Sequence, residues 1–428
     1  MTMQSSKPDF YSRIRGSFYG LAVTDALGAP VEFQARGTFP KVTSMLPNPN
    51  FNLPPGHFTD DTSMALCLLA SLSIYTPTMH ALDQARKYIT WWREGRMSST
   101  GYCFDIGTST REVLEVWEAK IRSAKEENDR LIANEKAMDR DSHADVILSE
   151  EEELWAGLES DDDDDDSDWD PATWEFDVAH EMKITLAEKF SGESRCGNGA
   201  LMRTLPVALL YLGNAQDADE STATSIAIES CAVTHPHRRC MSCCALYVKL
   251  IGQTLDGYAK RQLCGYVHAV LVSQREVMKN SPYGVDEPLH ERFEVYKTLG
   301  DWEAKPVAEI SSSGYVLDSL EAALWAFFTT SSFREGAIKV VNLGDDADTV
   351  GAIYGGLAGA YYGFEEIPKD WLDKMKSTDL LETAVDTIMH FRWQPPSESP
   401  DRMDIETNDV EKLMGMLPGI MKAMHLEG

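Results

Sequence analysis

The sequence has few basic residues and no long apolar run. Its 428 residues contain 39 lysines and arginines against 69 aspartates and glutamates, a formal net charge of −30. This charge argues against non-specific binding to nucleic acid or to an anionic membrane. No stretch of about 18 apolar residues indicates a membrane span, and the N-terminus lacks the apolar segment of a secretory leader. We therefore expect a cytoplasmic protein without a nucleic-acid or membrane partner.

Cysteine is present, but not in a pattern typical of zinc sites. Cys240, Cys243 and Cys244 lie in an apolar stretch that indicates a helix, and the CxxC spacing there has no second ligand pair nearby. No HExxH motif is present either. We interpret these cysteines as buried helical thiols in a reducing compartment, with zinc or redox chemistry as the weaker alternative.

Strand patterns are also scarce. Alternating β-branched runs joined by hairpin turns are few, and apolar stretches such as SLEAALWAFFTTSSFREGAIKVV are too long for strands and fit buried helices. We predict an all-α fold, a compact multi-helix bundle that forms one domain over residues 9–395. Residues 396–428 are predicted to be a linker followed by a short helix.

Acidic residues are concentrated in one segment. From Glu118 to Asp177 there are 23 acidic and 6 basic residues, including the run Asp161–Asp166. Such a run repels itself and cannot form a core, so we expect a flexible insert at about 121–177. The piece at 112–135 could extend a helix as a charged arm. Recruitment of a basic partner is a weaker interpretation of the insert than a solvated loop.

Two apolar stretches carry glycine at four-residue intervals. RIRGSFYGLAVTDALGAP contains Gly16, Gly20 and Gly28, and TVGAIYGGLAGAYYGF continues the spacing from Gly351 to Gly363. Each glycine costs a helix about 1 kcal/mol relative to alanine, so its repetition on one face needs a reason. Because a stripe of small residues lets another backbone approach, we predict two central, closely packed helices.

Carboxylates and threonines cluster beside these stretches. The clusters are Asp25 with Glu32; Thr59, Asp60, Asp61 and Thr62; and Asp345, Asp346, Asp348 and Thr349. Helix N-capping explains one such residue per helix. It does not explain adjacent carboxylates without a basic neighbour, because burying them is costly unless a cation balances their charge. Oxygen ligands in this number favour two Mg²⁺ or Mn²⁺ ions over zinc.

Two glycine-containing motifs, DIGTST and CGNGALMR, precede predicted helices. Free N–H groups at such positions bind phosphate oxygens, although a plain turn before a helix is the favoured interpretation of each motif taken alone. Neither matches a P-loop or a Rossmann fingerprint. His235 could contact a substrate or be a satisfied structural residue. Tyr315 could stack on an adenine or pack in the core.

Taken together and in this order, the motifs resemble the ADP-ribosylglycohydrolase family. The resemblance covers about residues 10–120 and 180–375, and it is carried by GLAVTDALGAPVEF, FTDDTSMAL, DIGTSTREVL, CGNGALMRTLP, SGYVLDSLEAALWAF and NLGDDADTVGAIYGGLAGAYYG. It implies a compact all-α fold with a binuclear Mg²⁺ or Mn²⁺ centre. The sequence departs from the family in its long acidic segment, in its extension after residue 395, and at Cys196, where some relatives have an aromatic residue.

The resemblance also implies roles for individual residues. Catalysis would involve Glu32, Asp61 and Asp348, with Asp25 as a reserve candidate that could instead support neighbouring loops. The implied metal ligands are Thr59, Asp60, Asp61, Asp346, Asp348 and Thr349. The implied substrate-binding residues are Gly107, Thr108, Gly197, Asn198, Gly199, Met202, His235 and Tyr315.

The activity implied by the resemblance is hydrolysis of the glycosidic bond between ADP-ribose and a modified acceptor. SGYVLDSLEAALWAF and GDDADT look closest to the arginine-directed branch, so ADP-ribosylated arginine on protein is the expected substrate. The alternatives are a serine-linked or small-molecule ADP-ribosyl hydrolase, another glycosyl-bond metal hydrolase, and a catalytically silent ADP-ribose-binding or crystallin-like structural protein. The expected partner is an ADP-ribosylated protein or a small ADP-ribosyl compound, and a monomer is favoured.

Overall fold

The computed structural model describes residues 8–75, 78–144, 174–213, 220–278 and 287–392. Within these ranges the secondary structure is helical, apart from two isolated β-bridges. The prediction of an all-α fold is confirmed. The helices are α1 (Phe10–Gly28), α2 (Asp60–Tyr75), α3 (Ala81–Glu94), α4 (Thr108–Ala144), α5 (Trp174–Phe190), α6 (Leu205–Tyr211), α7 (Glu220–Ala232), α8 (Arg238–Leu255), α9 (Lys260–Met278), α10 (Glu287–Phe293), α11 (Leu299–Ala304), α12 (Val316–Phe328), α13 (Phe333–Val341), α14 (Ala347–Tyr362), α15 (Lys369–Leu372) and α16 (Thr378–Arg392).

Helices α1 and α14 lie against each other along their glycine stripes. A Cβ added at Gly16 would lie 2.6 Å from the carbonyl oxygen of Gly359, and one added at Gly351 would lie 2.6 Å from the carbonyl oxygen of Thr24. Real Cβ atoms do not approach backbone oxygens so closely, so glycine is required at both positions. The prediction of two closely packed central helices is confirmed.

The pairing of residues between these helices also gives their direction. Early positions of α1 face late positions of α14, as Gly16 faces Gly359, while the end of α1 at Gly28 faces Ala347. The two helices are therefore antiparallel. The loop that leaves α1 and the acidic motif that opens α14 are brought to the same end of the pair.

Other helices surround this pair. Helices α8, α12 and α13 pack against α14, and the apolar stretch predicted to form buried helices consists of α12 and α13 with a turn between them. Cys240, Cys243 and Cys244 are buried on α8, as predicted, and no disulfide joins the cysteines of the described residues. In the same ranges, no helix is both long and apolar enough to cross a membrane.

The described residues fall into two compact units, one within 8–114 and 186–392, the other within 115–144 and 174–185. In the second unit, Lys120 of α4 forms an ion pair with Glu181 of α5. Residues 121–144, at the start of the predicted insert, are helical, in line with the extended charged arm. The run Asp161–Asp166 and the segment 396–428 lie outside the described residues, so the flexible insert, the C-terminal linker and the domain limits stay predictions.

Candidate metal centre and substrate cavity

A cavity of about 710 Å³ lies where the C-terminal end of α1 meets the N-terminal end of α14. This volume is typical of sites for small organic ligands. Twelve of the residues predicted for the site line it: Glu32, Asp60, Gly107, Thr108, Gly197, Asn198, Gly199, Met202, His235, Asp346, Asp348 and Thr349. Residues separated by more than three hundred positions in the chain are thus brought together around one cavity.

Two predicted ligands, Thr59 and Asp61, lie beneath this lining. Asp61 is 0% exposed, and its Oδ2 atom accepts hydrogen bonds from the hydroxyls of Thr59 at 3.1 Å and Thr349 at 3.3 Å. Asp61 lies in the first turn of α2, where the positive end of the helix dipole stabilises a negative charge. It therefore belongs to the floor of the site.

Asp25 organises the start of α2. Its carboxylate accepts hydrogen bonds from the backbone N–H groups of Thr59 at 2.9 Å and Thr62 at 3.1 Å, and also from the hydroxyls of both threonines. Burial nevertheless raises its pKa to about 7. These contacts agree with the supporting role that the sequence analysis left open for Asp25.

The carboxylates form two adjacent groups. One oxygen each from Asp25, Asp61 and Asp348 lie within 4.8 Å of one another, and the same holds for Glu32, Asp346 and Asp348. Asp348 belongs to both groups. Two neighbouring oxygen clusters that share a carboxylate are an arrangement suited to a pair of divalent cations.

Helix capping does not account for the acidic motif before α14. Asp346 occupies the N-cap position, but its side chain makes no capping hydrogen bond. Its Oδ2 atom instead accepts a hydrogen bond from the side-chain amide of Asn198 at 2.6 Å. The carboxylate of Asp346 is therefore directed towards the cavity and the CGNG loop.

Burial and mutual repulsion disfavour the charged forms of these acids. Burial first, then the neighbouring carboxylates, raise the pKa of Asp60 and Asp348 well above the usual range for aspartate. Burial and the nearby Asp105 raise the pKa of Glu32 to about 12. No lysine or arginine lines the cavity among the described residues to offset these charges.

Three buried carboxylate oxygens at the site lack a hydrogen-bond partner: Glu32 Oε2, Asp61 Oδ1 and Asp105 Oδ2. An unpartnered buried oxygen is costly unless a proton or a cation satisfies it. The donors are carboxylates and threonine hydroxyls, which are hard oxygen ligands. The residues present therefore fit divalent cations of the Mg²⁺ or Mn²⁺ type.

The CGNG loop forms another part of the cavity lining, next to Asp346. The backbone N–H of Asn198 donates to the carbonyl oxygen of Gly314 at 3.1 Å, and Gly197 forms a β-bridge with Tyr315. A Cβ added at Gly199 would lie 2.9 Å from Cε1 of His235. Glycine is needed there because the imidazole packs directly against the loop backbone.

A buried arginine connects this loop to His235. Arg203, which is 1% exposed, donates to the carbonyl oxygen of Gly199 at 3.0 Å and to the hydroxyl of Thr234 at 2.6 Å. The Thr234 hydroxyl lies 2.8 Å from Nδ1 of His235, and the guanidinium lies 4.5 Å from the centre of the Tyr88 ring. Burial, with the charge of Arg203, lowers the pKa of His235 to about 3.

Tyr315 differs from the other predicted substrate residues. Its side chain lines a separate cavity of about 380 Å³, together with Arg292, Tyr296 and Glu321. Its backbone still contacts the CGNG loop through the bridge to Gly197. The segment lies beside the CGNG loop, but the ring of Tyr315 is not part of the lining of the acidic cavity.

Several lining residues were not among the predicted site residues: Phe33, Asp105, Ser313, Gly314 and Asp345. Asp105 and Asp345 belong to motifs that the sequence analysis singled out, so their position in those motifs was an available signal. Phe33 directly follows Glu32 and has no polar atom in its side chain, so no pattern of polar residues marked it.

Glu193, Cys196 and His237 form a third group with metal-ligand atoms close together. In this group, protein atoms already bind the side chains that could hold a metal. Nδ1 of His237 accepts the backbone N–H of Arg239 at the N-cap of α8, which places the proton of the neutral ring on Nε2, facing Glu193. Arg239 pairs with Glu193 at 2.6 Å. Capping and ion pairing account for this group without a metal.

The fold and the cavity together define a class: an all-helical, metal-dependent hydrolase with an acidic centre at one end of a glycine-rich helix pair. The sequence profile of the ADP-ribosylglycohydrolase family matches residues 6–396, and the chain belongs to that family. The prediction of an ADP-ribosylhydrolase enzyme is confirmed.

Individual relatives agree with this assignment. The chain is 28% identical to "ADP-ribosylarginine hydrolase Tri1" of Serratia proteamaculans (strain 568), over 91% of this chain and 85% of the relative. It is 25% identical to "ADP-ribosyl-[dinitrogen reductase] glycohydrolase" of Rhodospirillum rubrum, over 89% and 97% of the two chains. A solved structure named "ADP-ribosylglycohydrolase-related protein complex" has a TM-score of 0.59 and 30% identity, and covers 90% of this chain and 99% of that one.

Proposed function

We propose that the enzyme cleaves the N-glycosidic bond between ADP-ribose and an arginine side chain of a modified protein. The relatives named ADP-ribosylarginine hydrolase, from Serratia proteamaculans and Pseudomonas putida, match 91% and 85% of this chain. The observation that carries the proposal is the cavity itself, which is lined by clustered carboxylates and by glycine loops and has a volume of about 710 Å³ that fits a nucleotide sugar.

Two divalent cations, Mg²⁺ or Mn²⁺, are the proposed cofactors. The residues that would hold them are Thr59, Asp60, Asp61, Asp346, Asp348 and Thr349. When bound, such ions polarise oxygen ligands and neutralise the surrounding carboxylates. The shared position of Asp348 between the two carboxylate groups makes it the residue on which both ion sites depend.

Glu32 is the proposed acid–base group. The reaction breaks the bond between the anomeric carbon and the acceptor nitrogen, while water supplies a hydroxyl to the carbon and a proton to the nitrogen. Glu32 lines the cavity beside Asp346, is 5% exposed, and has one oxygen without a hydrogen-bond partner. It can therefore transfer the proton between water and the leaving nitrogen. Asp61 and Asp348 hold the reacting groups in place from the floor.

The loops around the cavity are the proposed ADP-ribose site. Gly107 and Thr108 lie at the N-terminal end of α4, where free N–H groups favour an anionic diphosphate. The remaining contacts come from the CGNG loop with Met202 and His235, and the neutral His235 ring supports the loop rather than carrying charge. Tyr315 is not included, because its side chain lines the other cavity.

The test is release of ADP-ribose from arginine-modified and serine-modified proteins, with Mg²⁺, with Mn²⁺ and with chelator. We expect metal-dependent release from the arginine-modified protein. Release from the serine-modified protein alone would show that serine, rather than arginine, is the acceptor. Binding of ADP-ribose and metal without release from either would favour a small-molecule substrate or a binding role.

A further inference from the structure

Phe33 and Asp345 lie on the exposed rim of the acidic cavity. Both line it, the side chain of Phe33 is 70% exposed, and Asp345 is an exposed carboxylate in an otherwise more buried acidic lining. Phe33 directly follows Glu32 and Asp345 directly precedes Asp346. The two rim side chains are therefore attached to the backbone next to the proposed acid–base group and a proposed metal ligand.

A backbone contact fixes these two residues relative to each other. The N–H of Phe33 donates to the carbonyl oxygen of Asp345 at 2.7 Å, and the N–H of Asp345 donates to that of Gln34 at 2.8 Å. Phe33 and Asp345 both have a left-handed backbone, with φ of 63° and 53°. This conformation is unfavourable for residues other than glycine, and it is tolerated where surrounding contacts enforce it. The backbone positions from which the ring and the carboxylate project are thus fixed before a ligand binds.

Neither side chain has a polar or aromatic partner among the residues that the structure describes. Among the described residues, the Phe33 ring has no contact with another ring or a cation, and the Asp345 carboxylate has no hydrogen bond or ion pair. In the same cavity, Glu32 Oε2 is buried and also lacks a partner. An aromatic ring and a carboxylate that are both exposed at one cavity, on backbone segments joined by hydrogen bonds, can bind a planar cation by cation–π attraction and by charge-assisted hydrogen bonds.

We propose that Phe33 and Asp345 bind the guanidinium group of the acceptor arginine. This inference rests on the proposed arginine-directed function and names the groups that select the acceptor. The diphosphate of ADP-ribose is anionic, so the carboxylate of Asp345 disfavours it at this part of the rim. The acceptor therefore enters past Phe33 and Asp345, and the nucleotide lies towards the glycine loops.

The first experiment compares Phe33→Leu, which keeps apolar bulk, with Phe33→Trp, which keeps an aromatic face. The readouts are KM and kcat for an ADP-ribosyl-arginine peptide and the inhibition constant of free ADP-ribose, which has no guanidinium. We expect Phe33→Leu and Asp345→Asn each to raise KM about fivefold while the ADP-ribose inhibition constant stays within about twofold. Phe33→Trp should restore KM. Tyr102→Ala, which removes an exposed aromatic outside the cavity lining, is the matched control.

A binding measurement separates this inference from the proposed function. Agmatine, a guanidinium compound, is titrated into the metal-loaded enzyme with saturating ADP-ribose. Suppose that the enzyme does not release ADP-ribose from arginine, but binds agmatine, and that Phe33→Leu weakens this binding. This result would overturn the proposed function and support the guanidinium site at the rim. Cleavage of the arginine substrate with KM unchanged in Phe33→Leu, or a parallel rise in the ADP-ribose inhibition constant, would overturn the rim site alone.

Discussion

Buried carboxylates have two different surroundings in this molecule. Glu321, 1% exposed on α12, accepts hydrogen bonds from Arg292 at 2.7 Å and from the hydroxyl of Tyr296 at 2.5 Å. Asp61 and Asp348 are equally buried, yet no lysine or arginine lines their cavity within the described ranges. The protein balances the charge of Glu321 with its own side chains. At the acidic cavity, that balance comes from a proton or from a cation taken from solution.

The largest difference between the two regions should appear on removing one carboxylate from each. We expect Asp348→Asn to lower kcat/KM by about a thousandfold or more, because both proposed ion sites depend on this residue. In chelator, the variant should be as stable as the wild type or more stable, since a repelling charge is lost. Steady-state kinetics and urea unfolding measure the two effects.

The matched control is Glu321→Gln, which changes a carboxylate that is equally buried but paired. It should keep metal-dependent turnover and lose stability. Full turnover by Asp348→Asn would show that the cavity carboxylates are not the catalytic centre.

Adding a divalent cation should stabilise the protein through the acidic site and not through the paired carboxylate Glu321. At a free Mn²⁺ concentration about one hundred times the dissociation constant, one site adds about 2.7 kcal/mol to the free energy of unfolding. We expect thermal scans of the wild type and of Glu321→Gln to show this stabilisation and Asp61→Asn to lose most of it. Metal analysis of the dialysed protein should give two ions per wild-type chain. An equal shift in Asp61→Asn would place the ions elsewhere.

Removing the cation that the protein supplies should have the opposite effect on stability. Arg292→Ala leaves the Glu321 carboxylate buried, with the Tyr296 hydroxyl as its remaining hydrogen-bond donor among the described residues. We expect a loss of about 2 kcal/mol in the free energy of unfolding, discounted because the arginine is itself partly exposed. Urea unfolding checks this result. Unchanged stability would mean that solvent, rather than Arg292, balances Glu321.

Arg203 differs from both carboxylate environments, since it is a buried cation without a carboxylate among its described contacts. Because it holds Gly199 and Thr234, we expect Arg203→Met to raise KM for the ADP-ribosyl substrate about tenfold, with a smaller change in kcat. Arg203→Lys should recover part of the loss. If kcat falls while KM does not change, Arg203 acts on the chemistry rather than on loop position.

The smallest expected effect concerns His235 and pH. Its folded-state pKa of about 3 lies below the ordinary value of 6.5, because of burial and the charge of Arg203. Between these two pH values, the unfolded chain therefore binds a proton that the folded chain does not bind. The contribution of His235 to the free energy of unfolding is present above pH 6.5 and is lost as the pH falls towards 3. We expect His235→Gln to reduce the loss of unfolding free energy between pH 7 and pH 5.5 by about 1 kcal/mol. Parallel pH profiles for the wild type and the variant would contradict this expectation.

The parts of the site that could be predicted from the sequence are those marked by a pattern of neighbouring residues. The glycine stripes predicted the contact between α1 and α14, and adjacent acids such as Asp60 and Asp61 predicted a carboxylate cluster. The network of Arg203 and the rim residue Phe33 had no such pattern, because each depends on contacts between distant parts of the chain. Tyr315 shows the same limit, since neighbouring residues of an extended segment point to opposite sides and its backbone position did not determine the direction of its ring.

The antiparallel contact between α1 and α14 has a consequence for the order of events during synthesis. Glu32 is made early and Asp348 late, yet both belong to the same centre. Contacts of such long sequence separation form slowly, after the intervening chain has been ordered. A nascent chain that ends before Asp346 lacks Asp346 and Asp348 and cannot assemble the cluster. With the site residues proposed above, the growing polypeptide would be catalytically silent until almost the whole domain has been made.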